Sequence, residues 1–202
     1  MFSKEIAPFP QKAVLKDGTE VVLRLMVPDD EEKLLRFFRS IPDEDRLYLA
    51  EDVTNRAVIR RWVQELDYDR VFPLLTEKDG EIIADTILRT DRSGWMRHVG
   101  DLRGVVALEY RRRGVATLAF SRLVEHAVVM GLDKIVFRAM STQFGAINCM
   151  VALGFVKEAV LKDHVTDLRG RPHDLVIMTN YVTELWRKME DAILDVEFKV
   201  HP

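Results

Sequence analysis

The sequence predicts an α/β protein of the α+β kind, with elements in the order β-αα-β-β-β-α-β-α-β-β and one further helix at the C-terminus. Three observations carry that expectation. An apolar strand ending near Leu108 passes through a basic, glycine-containing turn into an amphipathic helix from Val115 to Met130. Two hairpin signals, Lys78-Asp79-Gly80 and Asp167 to Pro172, each separate a pair of strand-like runs. Apolar residues recur at helical spacing in two segments ahead of the first hairpin.

Each element follows from local chemistry. Residues 1–18 read as an N-terminal arm closed by the turn signal Asp17-Gly18. Thr19 to Val27 is Val- and Leu-rich and reads as a strand. Pro28 ends it, and Asp29 or Asp30 is placed to cap a helix buried through Leu34, Leu35, Phe37 and Phe38. Ser40-Ile41-Pro42 stops that helix, and Asp43 to Asp52 forms a polar link. A second helix is expected from Thr54 to Leu66, with Val58, Ile59, Trp62, Val63 and Leu66 on one side. Strands Val71–Glu77 and Glu81–Thr90 flank the first hairpin turn. A long strand is expected from Trp95 or Met96 to Leu108.

Beyond the basic turn, the helix buries Ala116, Ala119, Phe120, Leu123, Ala127 and Met130, with Gly131 as its C-terminal cap. Lys134 to Ala139 reads as a buried strand and Gln143 to Leu153 as the last core helix. Phe155–Val165 and His173–Tyr181 form a closing hairpin. Thr183 is placed to cap a C-terminal helical extension, 182–202, carrying Leu185, Trp186, Met189 and Ile193. That stripe packs on its own domain or forms a homodimer contact.

Composition excludes several classes. The chain has 202 residues, 48% hydrophobic and 31% charged, enough for one domain with a full core. The net charge of -3 offers no basic field for nucleic acid. Cys149 is the single cysteine, so no intrachain disulfide forms, no metal site is expected, and packing is its expected role. No apolar run approaches a membrane span, and the N-terminus lacks the apolar core of a signal peptide. The expectation is a cytoplasmic protein without a membrane or nucleic-acid partner.

The turn Arg111-Arg112-Arg113-Gly114-Val115-Ala116 has the chemistry of an anion site. Helix N-terminal N–H groups lack intrahelical partners and lie at the positive end of the helix dipole. Gly114 lets the backbone approach closely, Ala116 leaves room in the first helical turn, and Arg111 and Arg113 can add charge-assisted bonds. The pattern Arg111-x-x-Gly114-x-Ala116 also resembles the acyl-CoA-binding signature of the GCN5-related N-acetyltransferase (GNAT) superfamily. Leu153-Gly154-Phe155 looks like that family's exit from its last core helix. The resemblance covers 19–181, with a looser similarity to bacterial protein-lysine acetyltransferases around Phe37 to Tyr48.

That resemblance implies a mixed, mostly antiparallel sheet flanked by helices and splayed open beside the basic turn. It implies acetyl-CoA as acyl donor, with no metal. The phosphates would be bound by backbone N–H groups of Arg112 to Thr117 (Arg112, Arg113, Gly114, Val115, Ala116, Thr117) together with Arg111. The backbone of Val105, Val106, Ala107 and Leu108 would pair with the pantetheine amides, as an added strand would.

Transfer to an amine requires a proton acceptor, because a protonated amine cannot attack. Asp101 stands where similar proteins place a glutamate, and being one methylene shorter it would act through water. His98 competes, but three residues along a regular strand face opposite ways unless a bulge at Gly100 or Gly104 intervenes. Met150 stands where many family members have the tyrosine that protonates the leaving thiolate. Gln143 or Asn148 would replace a family asparagine at the cofactor. Glu109, Asp163, His164 and His173 read as surface residues. The acids Asp43, Glu44, Asp45, Glu51 and Asp52 favour a cationic acceptor or form a solvated run. The function implied is N-acetyl transfer from acetyl-CoA to a primary amine, by direct attack in a ternary complex. The alternative is a non-catalytic acyl-CoA-binding or sensory module on the same fold.

Overall fold

The computed structural model describes residues 8–49, 51–91 and 93–182. The expected C-terminal helix therefore lies outside the described residues. Eight strands form one sheet: β1 (Gln11–Val14), β2 (Glu20–Leu25), β3 (Val71–Lys78), β4 (Glu81–Thr90), β5 (Val99–Val106), β6 (Lys134–Met140), β7 (Val156–Thr166) and β8 (Pro172–Tyr181). Their spatial order is β1-β2-β3-β4-β5-β6-β8-β7. Among the described residues only the β5–β6 pair is parallel. The mixed, mostly antiparallel sheet is thus present. Gln11–Val14, expected within the arm, instead adds an edge strand to β2 around the turn at Gly18.

The helices are α1 (Glu31–Ser40), the single turn α2 (Asp43–Arg46), α3 (Arg56–Gln64), α4 (Val115–Val129) and α5 (Phe144–Ala152). They bury the two faces of the sheet in two clusters. Leu123, Ala119, Phe120 and Val115 of α4 pack with Leu74, Leu88, Leu102, Ile135 and Met150 on one face. Leu34, Leu35 and Phe38 of α1 pack with Ile59 and Val63 of α3, and with Leu75 and Val105, on the other. Fully burying a side chain the size of Phe38 or Leu34 contributes about 1.5–3 kcal/mol.

Some local expectations shift. Neither Asp29 nor Asp30 caps α1 through its side chain. The buried Asp30 carboxylate reaches back to the Val27 N–H (2.8 Å) and binds the half-buried Arg24 guanidinium, a charged partner that outweighs a helix end. Asn55 caps α3, accepting from the Ala57 N–H at 2.9 Å, so the helix begins two residues after Thr54. Asp79 and Gly80 both adopt positive φ, the geometry of a tight hairpin turn. Met130, expected in the core, is exposed, because α4 ends at Val129 and the chain turns away at Gly131 (φ 73°).

The strand expected from Trp95 to Leu108 is shorter at both ends. Met96 O accepts from the Val99 N–H (2.9 Å), closing a turn that leaves Trp95 89% exposed. Leu108–Tyr110 is a 3-10 turn. β4 and β5 pair without a register break from Ala84↔Val106 to Thr90↔Gly100, so no bulge is present. Gly100 and Gly104 serve packing instead. A Cβ on Gly104 would sit 2.7 Å from Thr86 Cγ2 and 2.9 Å from the Asp85 carbonyl oxygen.

Candidate functional site

The sheet opens where β5 and β6 part. Their parallel pairing runs from Val99↔Lys134 to Leu102↔Phe137 and ends there, although β5 continues to Val106 and β6 to Met140. The Ala107 N–H donates to Ile83 O on β4 (2.9 Å). Alternation along a strand then turns the backbone groups of Gly104 and Val106 toward the gap. The gap leads into a cleft of about 1200 Å³. Its walls are β5 and β6, the basic turn, the start of α4, α5, the α2 segment from Asp45 to Leu49, and His164 to Thr166 of β7.

The basic turn delivers the helix end to this cleft. Gly114 adopts φ 91°, in the left-handed region, and a Cβ there would meet nothing within 4 Å. The glycine is needed for its dihedral, and the space beside it is open. The first intrahelical bond runs from Leu118 N–H to Gly114 O (2.9 Å), so the N–H groups of Val115, Ala116 and Thr117 have no helical acceptor.

The expected site residues divide. Asp101, Val105, Val106, Leu108, Arg111, Arg112, Gly114, Val115 and Ala116 line the cleft; Ala107, Arg113 and Thr117 do not. Two of the three arginines have partners within the protein. Arg111 Nε donates to Val106 O (3.0 Å) and its Nη2 to Asp45 (2.8 Å). Arg113 lies over the Tyr110 ring at 5.6 Å, with Asp17 3.7 Å away. Arg112 is exposed and holds a positive φ of 61°. The Thr117 hydroxyl contacts Cys149 Sγ at 3.5 Å between α4 and α5. Burial pushes the Cys149 thiol above its ordinary value, so it stays protonated and unreactive.

Asp101 lies on the α1–α3 face of β5, as do Arg103 and Val105, because Leu102 between them enters the other core. Asp101 Oδ2 accepts from Arg103 Nε (2.8 Å), and Oδ1 accepts from Arg138 Nη1 of β6. His98 precedes the strand and is exposed. Its carbonyl accepts from the N–H groups of Asp133 (2.9 Å) and Lys134 (3.3 Å), so its role is in the backbone. Met150 is fully buried beneath α4. Gln143 lines the cleft while its side chain accepts from the Met140 N–H (2.8 Å), and Asn148 lines it too. His164, expected at the surface, is exposed but on the cleft wall.

Most carboxylates of the acidic link have side-chain partners. Asp43 binds Arg46, Asp45 binds Arg111, Glu51 binds Arg61 and Trp62, and Asp52 bonds Thr54. Residues that sequence reasoning passed over are Tyr48, Arg103, Arg138 and Asp85. Burial, then the charges of Asp45, Glu44 and Asp167, hold the Tyr48 phenol above its ordinary value. Asp85, opposite Val105 on β4, is buried; its Oδ1 has no hydrogen-bond partner, and desolvation pushes its carboxyl up to about 7. The signal for Asp85 was available: a lone charge interrupts the apolar run Ile82 to Leu88. Arg103 and Arg138 carried no comparable signal, because only the sheet register brings them together. Among the described residues no group of His, Cys, Asp and Glu side chains is arranged to hold a metal ion. No helix there is long and apolar enough to cross a membrane.

Comparison with known proteins agrees with this geometry. The sequence model described as "Acetyltransferase (GNAT) family" matches residues 32–155, more than half of the chain. No curated protein matches the chain. Among solved structures, the GNAT domain of S. lividans PAT superposes with a TM-score of 0.72 at 18% identity, covering 87% of this chain and 99% of that one. A GNAT-family acetyltransferase from Streptococcus pneumoniae gives 0.69 at 19% identity, covering 80% and 98%. The structure of yncA from Salmonella typhimurium with its cofactor acetyl-CoA gives 0.68 at 17%, covering 80% and 94%. The splayed mixed sheet, the glycine-capped helix end beside it and the sequence match together establish that this chain belongs to the GNAT acetyltransferase family.

Proposed function

We propose that the protein is an N-acetyltransferase that moves an acetyl group from acetyl-CoA to a primary amine by direct attack in a ternary complex. The observation that carries this reading is the parting of β5 and β6 directly beside the N-terminus of α4. The residues present fit the donor. Three helix N–H groups and open space at Gly114 suit a diphosphate. The gap-facing backbone of Gly104 and Val106 suits the pantetheine amides. Bound acetyl-CoA supplies the acyl group activated as a thioester.

The chain's own residues do the rest. Asp101 accepts the amine proton through a water, since both of its oxygens already receive guanidinium N–H groups. The amine nitrogen then bonds to the acyl carbon as the carbon–sulfur bond breaks. Tyr48, a cleft-wall phenol kept protonated by its surroundings, donates the proton that the departing thiolate takes up. Cytoplasmic location, and a single domain over 19–181 to which Gln11–Val14 adds an edge strand, are part of the same proposal.

Isothermal titration with acetyl-CoA, beside 3′-dephospho-CoA, tests the donor site, and thiol release in the presence of amines tests transfer. Saturable binding with turnover is expected. Binding without turnover on any amine would favour the sensory-module reading, and no binding at millimolar acetyl-CoA would overturn both.

A further inference from the structure

The register of the sheet builds an arginine-lined cavity next to the reactive gap. On β4, Arg89 stands directly opposite Asp101 of β5. Arg103 lies two residues along β5 on the same face. On the other side, Val136 of β6 is opposite Asp101, and Arg138 is two residues further on. These side chains line an open hollow of about 270 Å³, which also touches Thr90, Asp91 and Met96. Asp101, Arg103 and Arg138 line both this cavity and the large cleft, so the two spaces meet at Asp101.

The charges there are unbalanced. Three guanidinium groups face two carboxylates, Asp91 and Asp101. Glu51, whose field reaches Arg89, is already bonded to Arg61 and Trp62. Arg103 uses Nε on Asp101 and Arg138 uses Nη1, so each presents further N–H groups. Guanidinium forks match the two oxygens of a carboxylate, and a polyamine would meet a net positive wall.

We propose that the small cavity takes the anionic end of the acceptor, so that the substrate is an amine of amino-acid size carrying a carboxylate close to its amino group. This rests on the acetyl-transfer reading. The ammonium lies at Asp101, at the mouth of the large cleft, and the carboxylate lies among Arg89, Arg103 and Arg138. The hollow has room for the carboxylate end of a free amino acid. The acidic link does not oppose this, because Asp43, Asp45 and Glu51 are each paired with an arginine.

The test is thiol release from acetyl-CoA with matched acceptors: free proteinogenic amino acids, their methyl esters, and spermidine. A free acid is expected to exceed its own ester in kcat/KM by at least ~10-fold, the value of one lost charge-assisted contact. Arg89→Ala, which leaves both bonds to Asp101 in place, is expected to raise KM for the free acid more than for the ester. Arg89→Lys should restore part of the difference. Equal or better use of esters or spermidine overturns the proposal while leaving acetyl transfer intact. Absence of thiol release with every acceptor overturns the transfer reading and the proposal with it.

Discussion

Arg111 Nε donates to the carbonyl oxygen of Val106 at 3.0 Å, tying the basic turn back to the strand that leads into it. The same guanidinium reaches Asp45 at 2.8 Å, so one side chain links β5, the turn and the α2 segment that walls the cleft. Arg111 is therefore a strut for the cleft. Arg111→Ala and Asp45→Ala should each weaken acetyl-CoA binding, with the double variant losing less than the sum. The expected coupling is about 0.5–1 kcal/mol, read by titrating all four proteins. Strict additivity would remove the strut.

Two substitutions at Gly114 separate backbone strain from charge. With φ 91° and no atom near a built Cβ, Gly114→Ala meets only the left-handed penalty, about 1–2 kcal/mol. Gly114→Asp adds a carboxylate where phosphates are expected. Its Kd for acetyl-CoA should rise at least ~10-fold beyond that of the alanine variant. Equal affinities would place the phosphates elsewhere.

Asp101 is expected to act on chemistry more than on donor binding. Asp101→Asn should lower kcat by about 10²–10⁴-fold while the acetyl-CoA Kd, by titration, changes little. Tyr48→Phe should lower kcat less, since a thiolate leaves readily. A full-rate Asp101→Asn enzyme would end the assignment.

Asp85 makes stability depend on pH in a defined direction. Its carboxyl is pushed up to about 7 by burial alone, so folding favours the neutral form. The contribution is fully present below the unfolded value near ~3.9 and is lost as pH rises through about 7, on the order of 4 kcal/mol in all. The stability difference between Asp85→Val and the parent, from urea titrations at about pH 5 and about pH 8, should therefore grow with pH in favour of the variant. A difference that is flat over that window would refute the linkage.

Arg24 holds a buried cluster at the base of α1. It bonds Asp30 and Glu77, each at 2.6 Å, and those side chains are 4% and 12% exposed. Arg24→Met leaves Asp30 with only the Val27 N–H and Glu77 with only Lys33, and should cost about 3 kcal/mol in urea denaturation, the low end for breaking a buried pair. Arg36→Met breaks an exposed pair with Glu81 and should cost under ~1 kcal/mol. Similar losses in both would mean that burial is not what gives the Arg24 cluster its value.

Most of the fold was legible because its signals are local. The hairpin turn at Asp79-Gly80, the glycine ahead of Val115 and the periodicity of α1, α3 and α4 each encode their own element. Strand ends were less legible. The start of β5 is set by a local turn closed on Met96 O, which carries no glycine or proline signal, and its end by a bond to Ile83 O, twenty-four residues away on β4.

The sequence by itself determined the element order, the basic turn with its glycine, and the two apolar faces that make α1, α3 and α4 cover one sheet. Periodicity and dihedral preference act over a few residues, and they need no knowledge of the partner strands. Only the tertiary structure decided what the charged side chains do. Arg111 gained Val106 O and Asp45 as partners, Asp101 gained two guanidinium partners, and Asp85 was left without a hydrogen-bond partner at Oδ1. Arg89, Arg103 and Arg138 are dispersed over fifty positions of chain and converge only through the β4–β5–β6 register. The physical reason is reach: backbone propensity is set by near neighbours, while a charge takes its role from whatever folding brings within a few ångströms.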